Sequence, residues 1–315
     1  MAKDEKIVLL LIWYGKFRNY FEFWLKSIEY NPSIDFILIT DQTNIINTPK
    51  NLKIINISFV DLVDYIQSKF DFPICVPKAY KLCDFRPAFG YIFEKYINEY
   101  DFWGHCDEDL IFGDIRKFIT NDILDKYDKI LRRGHFSLYR NTDKVNSYFK
   151  KIHPITYKKV FSSPESFCFD ETNGIGDFWY KNNRDTFYDV ILFDDIDYLK
   201  YNFHTVHKKQ QDRGRQKFIY VFNKGKLFRV FIENQCLKKE EIMYVHFQKR
   251  ILEINIYPDE SFIIIPNKFL SYENNINISF LKNAVKHHAL YFPYFKFKYQ
   301  SLLRKINKIK SLLSH

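Results

Sequence analysis

The sequence predicts an α/β fold built on a mainly parallel sheet, and three observations carry that expectation. Apolar runs of strand length, such as Ile7 to Ile12, alternate with segments whose apolar residues recur at helical spacing. These runs are continuous rather than alternating, as strands covered by helices on both faces require. Carboxylates then gather where one apolar strand runs out, at Asp107 to Asp109, and open parallel sheets take their ligands beyond that strand end.

Taken in order, Ile7 to Ile12 leads into Trp13-Tyr14-Gly15, a strand followed by a turn. Phe21, Trp24, Leu25 and Ile28 place a helix next, and Asn31-Pro32 stops it. Asp35 to Thr40 is the second strand, with Asp41 at its carboxyl end, Leu52 to Ile57 is the third, and Phe59 to Phe70 is a helix. Pro87 to Tyr100 reads as one helix burying Phe89, Ile92, Phe93, Tyr96 and Ile97, and it runs into a strand over Tyr100 to Cys106. Short strands follow at Asp128 to Leu131 and Phe136 to Tyr139, then helix over 142–161.

From Lys217 to Ile232 the pattern changes to a hairpin turning at Asn223-Lys224-Gly225, with further strands at Ile242 to Phe247 and Ile251 to Ile256. The second half is therefore expected to be more antiparallel. At the end, Leu302, Ile306, Ile309 and Leu313 define a basic amphipathic helix.

The formal net charge of +10 is unevenly spread, since no acidic residue follows Glu273 while Lys282, Lys286, Lys296, Lys298, Arg304, Lys305, Lys308 and Lys310 do. Such a tail suits docking to an anionic membrane surface, and a helix packed on the body with a solvated basic face is the alternative. Nucleic acid is not expected as a partner, because the acidic residues sit in the expected cleft and a nucleic-acid groove shows the reverse. Five cysteines without a C-x-x-C pair speak against a disulfide framework or a structural zinc site. The expected location is the cytoplasm, with peripheral attachment to the inner face of the plasma membrane.

Asp107 and Asp109 are two apart, so on an extended segment they face the same way. Hard oxygen ligands set like this suit Mg²⁺ or Mn²⁺ bridging to phosphates. The alternative is an acidic turn capping a helix that starts near Asp114. Asp170 and Glu171, at the end of Phe167-Cys168-Phe169, are candidate general bases, or an N-cap pair for a helix toward Trp179. Asp194, Asp195 and Asp197 form the rival base site, which a solvated turn also explains.

Five blocks carry a family resemblance: Leu11-Ile12-Trp13-Tyr14-Gly15, Phe36-Ile37-Leu38-Ile39-Thr40-Asp41, Lys81-Leu82-Cys83-Asp84-Phe85-Arg86-Pro87, the Asp107 to Asp114 block, and Tyr244-Val245-His246-Phe247-Gln248-Lys249-Arg250. Their order and spacing resemble bacterial glycosyltransferases of the GT-A type from capsule and exopolysaccharide clusters. The resemblance implies a Rossmann-like sheet, a nucleotide-sugar half over 1–130, an acceptor half over 131–250, and a tail over 251–315. It implies that Trp13, Tyr14 and Asp41 hold the nucleotide, that Asp84 and Arg86 lie against the ribose or sugar phosphate, and that Asp107 and Asp109 hold the metal. His246 would add a nitrogen ligand, favouring Mn²⁺ over Mg²⁺, and Lys249 and Arg250 would reach the diphosphate.

The activity so implied is transfer of a hexose, galactose or glucose, from a UDP-sugar to a polysaccharide or lipid-linked acceptor. A metal-dependent nucleotidyltransferase ranks below it because no glycine-rich phosphate loop precedes the carboxylates. A non-catalytic protein that binds membrane or polyanion is the alternative from outside enzymes.

Overall fold

The computed structural model describes residues 4–151, 156–171, 174–175, 179, 186–189, 191–207, 217–273, 276–286, 294–296, 298–300 and 302–303. The chain forms two compact units, residues 1–189 and 190–315.

The first unit is α/β, as the sequence predicts. Its elements are β1 (Ile7–Ile12), α1 (Phe21–Glu29), β2 (Ile34–Thr40), β3 (Leu52–Asn56), α2 (Phe59–Gln67), a 3₁₀ segment (Ala79–Ala88), α3 (Phe89–Ile92), α4 (Glu94–Ile97), β4 (Phe102–Cys106) and β5 (Leu110–Phe112). There follow α5 (Ile115–Phe118), α6 (Asn121–Lys126), β6 (Lys129–Arg133), β7 (Phe136–Arg140), α7 (Asp143–Asn146), a 3₁₀ turn (Tyr148–Lys151), α8 (Tyr157–Ser162) and β8 (Thr186–Phe187).

Seven strands form one sheet in the order β3-β2-β1-β4-β7-β6-β8. β3, β2, β1 and β4 are parallel, and β7 then runs against β4. Val8, Leu10, Ile37 and Ile39 point from the parallel half into one core with Leu62 and Ile66 of α2, Phe89 of α3 and Phe161 of α8. The other face of β1 and β2 is closed by α1, whose Trp24 meets Phe36 edge to face at 5.8 Å. Burial on both faces explains why these strands read as unbroken apolar runs.

The single helix expected over 87–100 is instead a 3₁₀ segment containing Pro87 and two four-residue helices. The break comes at Phe93, which leaves helical geometry with φ −102° and ψ 22°. The helix expected over 142–161 is likewise divided into α7, a 3₁₀ turn and α8, with 152–155 outside the described residues. β6 and β7 change register between Ile130 and Arg133, where Leu131 takes φ +58°. A bulge of this kind bends a strand and re-aims its tip, here Arg133-Gly134-His135.

The second unit contains β9 (Phe193–Asp195), β10 (Phe218–Asn223), β11 (Lys226–Glu233), β12 (Cys236–Ile242), β13 (Tyr244–His246), β14 (Glu253–Ile254), β15 (Ser261–Ile265), β16 (Lys268–Ser271) and α9 (Ile278–Ala284). Six of the strands form a sheet in the order β12-β11-β10-β15-β16-β14, antiparallel except at β14 and β16. The expected hairpin is β10 and β11, turning at Lys224-Gly225, and the antiparallel second half is present. Where a strand is expected over 251–256, only Glu253–Ile254 pairs. The predicted C-terminal helix lies largely outside the described residues, of which Tyr294, Phe295, Tyr299 and Leu302 are exposed. Among the described residues no helix is long and apolar enough to cross a membrane.

Candidate active site

β1 and β4 are parallel neighbours, yet the chain extends from β1 toward β2 and β3 on one side and from β4 toward β7 on the other. Connections leaving their carboxyl ends diverge at such a switch point and open a crevice. A cavity of about 210 Å³ lies there, lined by Trp13 and Tyr14 beyond β1, by His105, Cys106 and Asp107 of the β4 end, and by Tyr80, Cys83 and Arg86 of the 3₁₀ segment. Complete small-molecule sites occupy roughly 300–1,000 Å³, so this cavity has room for part of such a ligand.

Trp13 and Tyr14 both face that cavity. The Trp13 ring stacks on Phe17 at 6.2 Å, and the Tyr14 hydroxyl donates to the Ile57 carbonyl at 3.1 Å. Burial, reinforced by Asp41 and Asp61, pushes the Tyr14 phenol well above its usual range, so it stays a neutral donor. Asp41 itself is exposed at the end of β2 and accepts from the Gln42 side chain at 2.9 Å.

Asp107 to Asp109 is not the extended segment expected. β4 ends at Cys106, and Glu108 and Asp109 form a turn into β5. The turn still brings an oxygen of Asp107 and one of Asp109 within 4.8 Å of each other. Glu108 is buried instead, 3.5 Å from Arg18 Nε. Asp114 caps α5 by accepting from the Lys117 amide at 3.1 Å, so the capping task falls to it and leaves the two upstream carboxylates together.

Arg86 holds these acidic groups in place. Its Nη2 pairs with Asp107 Oδ1, and its Nη1 donates to Asp170 Oδ2 at 3.0 Å. The two carboxylates, 63 positions apart in the chain, thereby share one planar guanidinium. Burial pushes the Asp170 carboxyl up to about 7, although Arg86 opposes the shift. Glu171 Oε1 accepts from the Gly134 amide at 2.9 Å, which ties the β6–β7 tip to the same cluster. A side chain at Gly134 would place its Cβ 2.7 Å from Asp170 Oδ2, so the tip or the carboxylate would have to shift to admit one. On the other side of the tip, the His135 carbonyl accepts from the Asp107 amide at 3.1 Å.

The role expected for Asp84 is overturned. It is 0% exposed, its Oδ2 pairs with Lys81 Nζ at 2.8 Å, and its oxygens accept from the amides of Phe167 and Phe169. A carboxylate so committed has no face left for a ribose.

His246 Nδ1 lies 2.8 Å from Asp195 Oδ1, which also accepts from Gln248 Nε2 at 2.8 Å. Burial opposes it, but these hydrogen bonds and the neighbouring histidines hold the Asp195 carboxyl below its usual range. Asp194 is buried, accepts from the Tyr220 hydroxyl at 2.7 Å, and stands near Arg229, so the alternative of a solvated turn at the rival base site does not describe it. Lys249 is exposed. Arg250, expected on a diphosphate, is a buried staple that donates to the carbonyls of Tyr201 and Asp197 at 2.9 and 3.0 Å and to Asn267 Oδ1 at 2.8 Å.

Sequence reasoning missed Tyr80, which lines the cavity while 60% exposed, and the buried Lys129, whose Nζ lies 3.9 Å above the Tyr139 ring. Burial pushes that ammonium well below its usual range. Gly134 was the one with a readable signal, a glycine between two predicted strands.

A family model described as "Family of unknown function (DUF6625)" matches residues 9–273. No curated protein matches the chain. Among solved structures, the galactosyltransferase LgtC bound to donor and acceptor sugar analogues is similar at 9% identity and TM-score 0.35, over 60% of this chain and 75% of that one. An active-site mutant of LgtC gives 10% identity and TM-score 0.37 over 78% and 88%. Mouse xyloside xylosyltransferase 1 gives 9% and 0.36 over 66% and 90%. Likeness at this level carries no argument about chemistry, and the α/β class stands on the sheet itself.

Proposed function

Since this chain belongs to DUF6625, a family of unknown function, its chemistry rests on its own residues, and we propose that it is a metal-dependent glycosyltransferase of the GT-A type. One observation carries the reading: Asp107 and Asp109 bring carboxylate oxygens within 4.8 Å of each other at the carboxyl end of β4, and Asp107 itself lines the cavity at the switch point. Two hard oxygen donors at that spacing fit Mg²⁺ or Mn²⁺, and such an ion supplies Lewis-acid stabilisation of a departing nucleoside diphosphate.

The remaining roles belong to the chain. Trp13 and Tyr14 present aromatic surface to a base, Arg86 holds Asp107 and Asp170 on its two terminal nitrogens, and Asp170 is the proposed base for the acceptor hydroxyl. His246 enters the reading from the sequence as a nitrogen ligand, and Asp195 would fix its ring with Nε2 outward. The proposed donor is a UDP-hexose, galactose or glucose, and the proposed acceptor a polysaccharide or lipid-linked saccharide. The basic C-terminal segment is proposed to dock on an anionic membrane, with the protein peripheral on the cytoplasmic face; deletion after Pro293 should lower liposome binding more than donor hydrolysis.

The decisive experiment measures thermal stability with UDP. UDP should raise the melting temperature only when Mn²⁺ or Mg²⁺ is present, and chelation should reverse the rise. A panel of UDP-sugars, scored for metal-dependent hydrolysis, then identifies the donor. No response to UDP with either ion removes the reading.

A further inference from the structure

The Lys81–Asp84 pair is more than a buried ion pair, because all of its remaining contacts fall on one distant segment. Lys81, 1% exposed, donates to the Val160 carbonyl at 2.9 Å and to the Glu165 carbonyl. Asp84 accepts from the Phe167 amide at 3.0 Å and from the Phe169 amide at 3.0 Å. Between those amides Cys168 takes φ +51°, a conformation unfavourable for a residue with a side chain. Alternate amides flanking a left-handed residue form a concave anion site, and here the anion is Asp84. The next residue in the chain is Asp170, whose carboxylate is held by Arg86, two positions after Asp84.

The same turn thus grips Asp170 twice, by its backbone approach through Asp84 and by its side chain through Arg86. We infer that Asp84, braced by Lys81, is a positioning residue that sets where Asp170 stands relative to Asp107. The inference rests on the transferase reading for the role of Asp170, but the anchor itself is independent of any substrate. Burying two charges is unfavourable, and here it is offset by committing both Asp84 oxygens to a chain segment that has no helix or strand to hold it.

The test compares Asp84→Asn with wild type in the full chain. An asparagine removes the charge that strengthens both amide hydrogen bonds and pairs with Lys81, so hydrogen exchange at the Phe167 and Phe169 amides should rise at least tenfold while exchange in β1 and β4 stays unchanged. With Mn²⁺ and the UDP-sugar that the panel identifies, kcat should fall at least tenfold while the affinity for UDP stays within twofold. Wild-type exchange at the two amides overturns the anchor. Raised exchange with wild-type kcat overturns the positioning role.

If Asp84→Asn does not fold, the double variant Lys81→Met with Asp84→Leu removes both buried charges and keeps the volume; it too must lose kcat, and a wild-type rate in it overturns the inference. Asp170→Asn is the control for the underlying reading: if it turns over normally, the assigned role of Asp170 fails, whereas the exchange measurement still decides whether Asp84 holds the segment.

Discussion

Arg86 Nη1 lies 3.0 Å from Asp170 Oδ2, and the opposite edge of the same guanidinium holds Asp107. A single cation therefore fixes the spacing of two acidic groups that would otherwise repel. Replacing it should have two consequences. Arg86→Met removes the cation both carboxylates share, and with Asp170 buried the loss should be on the order of 3 kcal/mol in urea unfolding. Transfer should fall by roughly 10²-fold or more through misplaced Asp107 and Asp170. Wild-type stability in this variant would show that the bridge contributes nothing.

Asp170 also predicts a pH dependence of stability whose sign follows from its shift. Its carboxyl titrates at about 7 in the fold against 3.8 as an ordinary aspartate. Between those values the native state holds a proton that the unfolded chain has released, so stability falls as pH rises through that window and stays lower above it. Asp170→Asn has no such titration. Relative to wild type, its melting temperature should gain about 3–5 °C between pH 5 and pH 8, and parallel curves would refute the assignment.

Metal linkage should be lost without loss of fold in Asp107→Ala and Asp109→Ala. Neither side chain contributes to the apolar core, so their melting temperatures without ligand should stay within a few degrees of wild type. The rise with UDP and Mn²⁺ should vanish in both. Retained metal-dependent stabilisation in Asp109→Ala would place the ion on other groups.

Gly134→Ala tests the approach of the β6–β7 tip. The added methyl would sit 2.7 Å from Asp170 Oδ2 and 3.0 Å from Glu171 Oε1, so something must move. Turnover should drop about tenfold, with destabilisation of roughly 1–3 kcal/mol, the cost of overpacking. An alanine variant of wild-type activity and stability would mean the tip retreats freely.

Much of this fold is legible in the sequence where strands are buried on both faces. β1 spans the predicted residues, and β2 differs by one, because continuous apolar runs leave few alternatives. The 87–100 segment misleads because aromatics at helical spacing report which face is buried and say nothing about continuity across Pro87 and Phe93. β12 escapes notice since its Lys238-Lys239-Glu240-Glu241 stretch is the charged edge of a sheet, where alternation is lost.

Within the site, the aspartates at 107, 109 and 170 are legible because carboxylates ending apolar runs are conspicuous. Their partners are not. Asp84 reads as a ligand-binding group until its donors, the amides of Phe167 and Phe169, appear beside it, and nothing in the local sequence announces a contact spanning more than 80 positions. Arg250 likewise reads as a phosphate ligand, while its carbonyl partners near Tyr201 are fixed only by tertiary structure.

The reversal of β7 beside β4 has a lasting effect on how such a molecule can change. Because β7 begins at the edge where β4 ends, the short tip before it is delivered to the rim of the crevice without belonging to either strand. Residues added to that tip would alter what meets the rim while leaving every backbone pairing of the sheet intact. A longer hairpin there is therefore constrained chiefly at two positions, Gly134 and His135, that touch the acidic cluster or its amides.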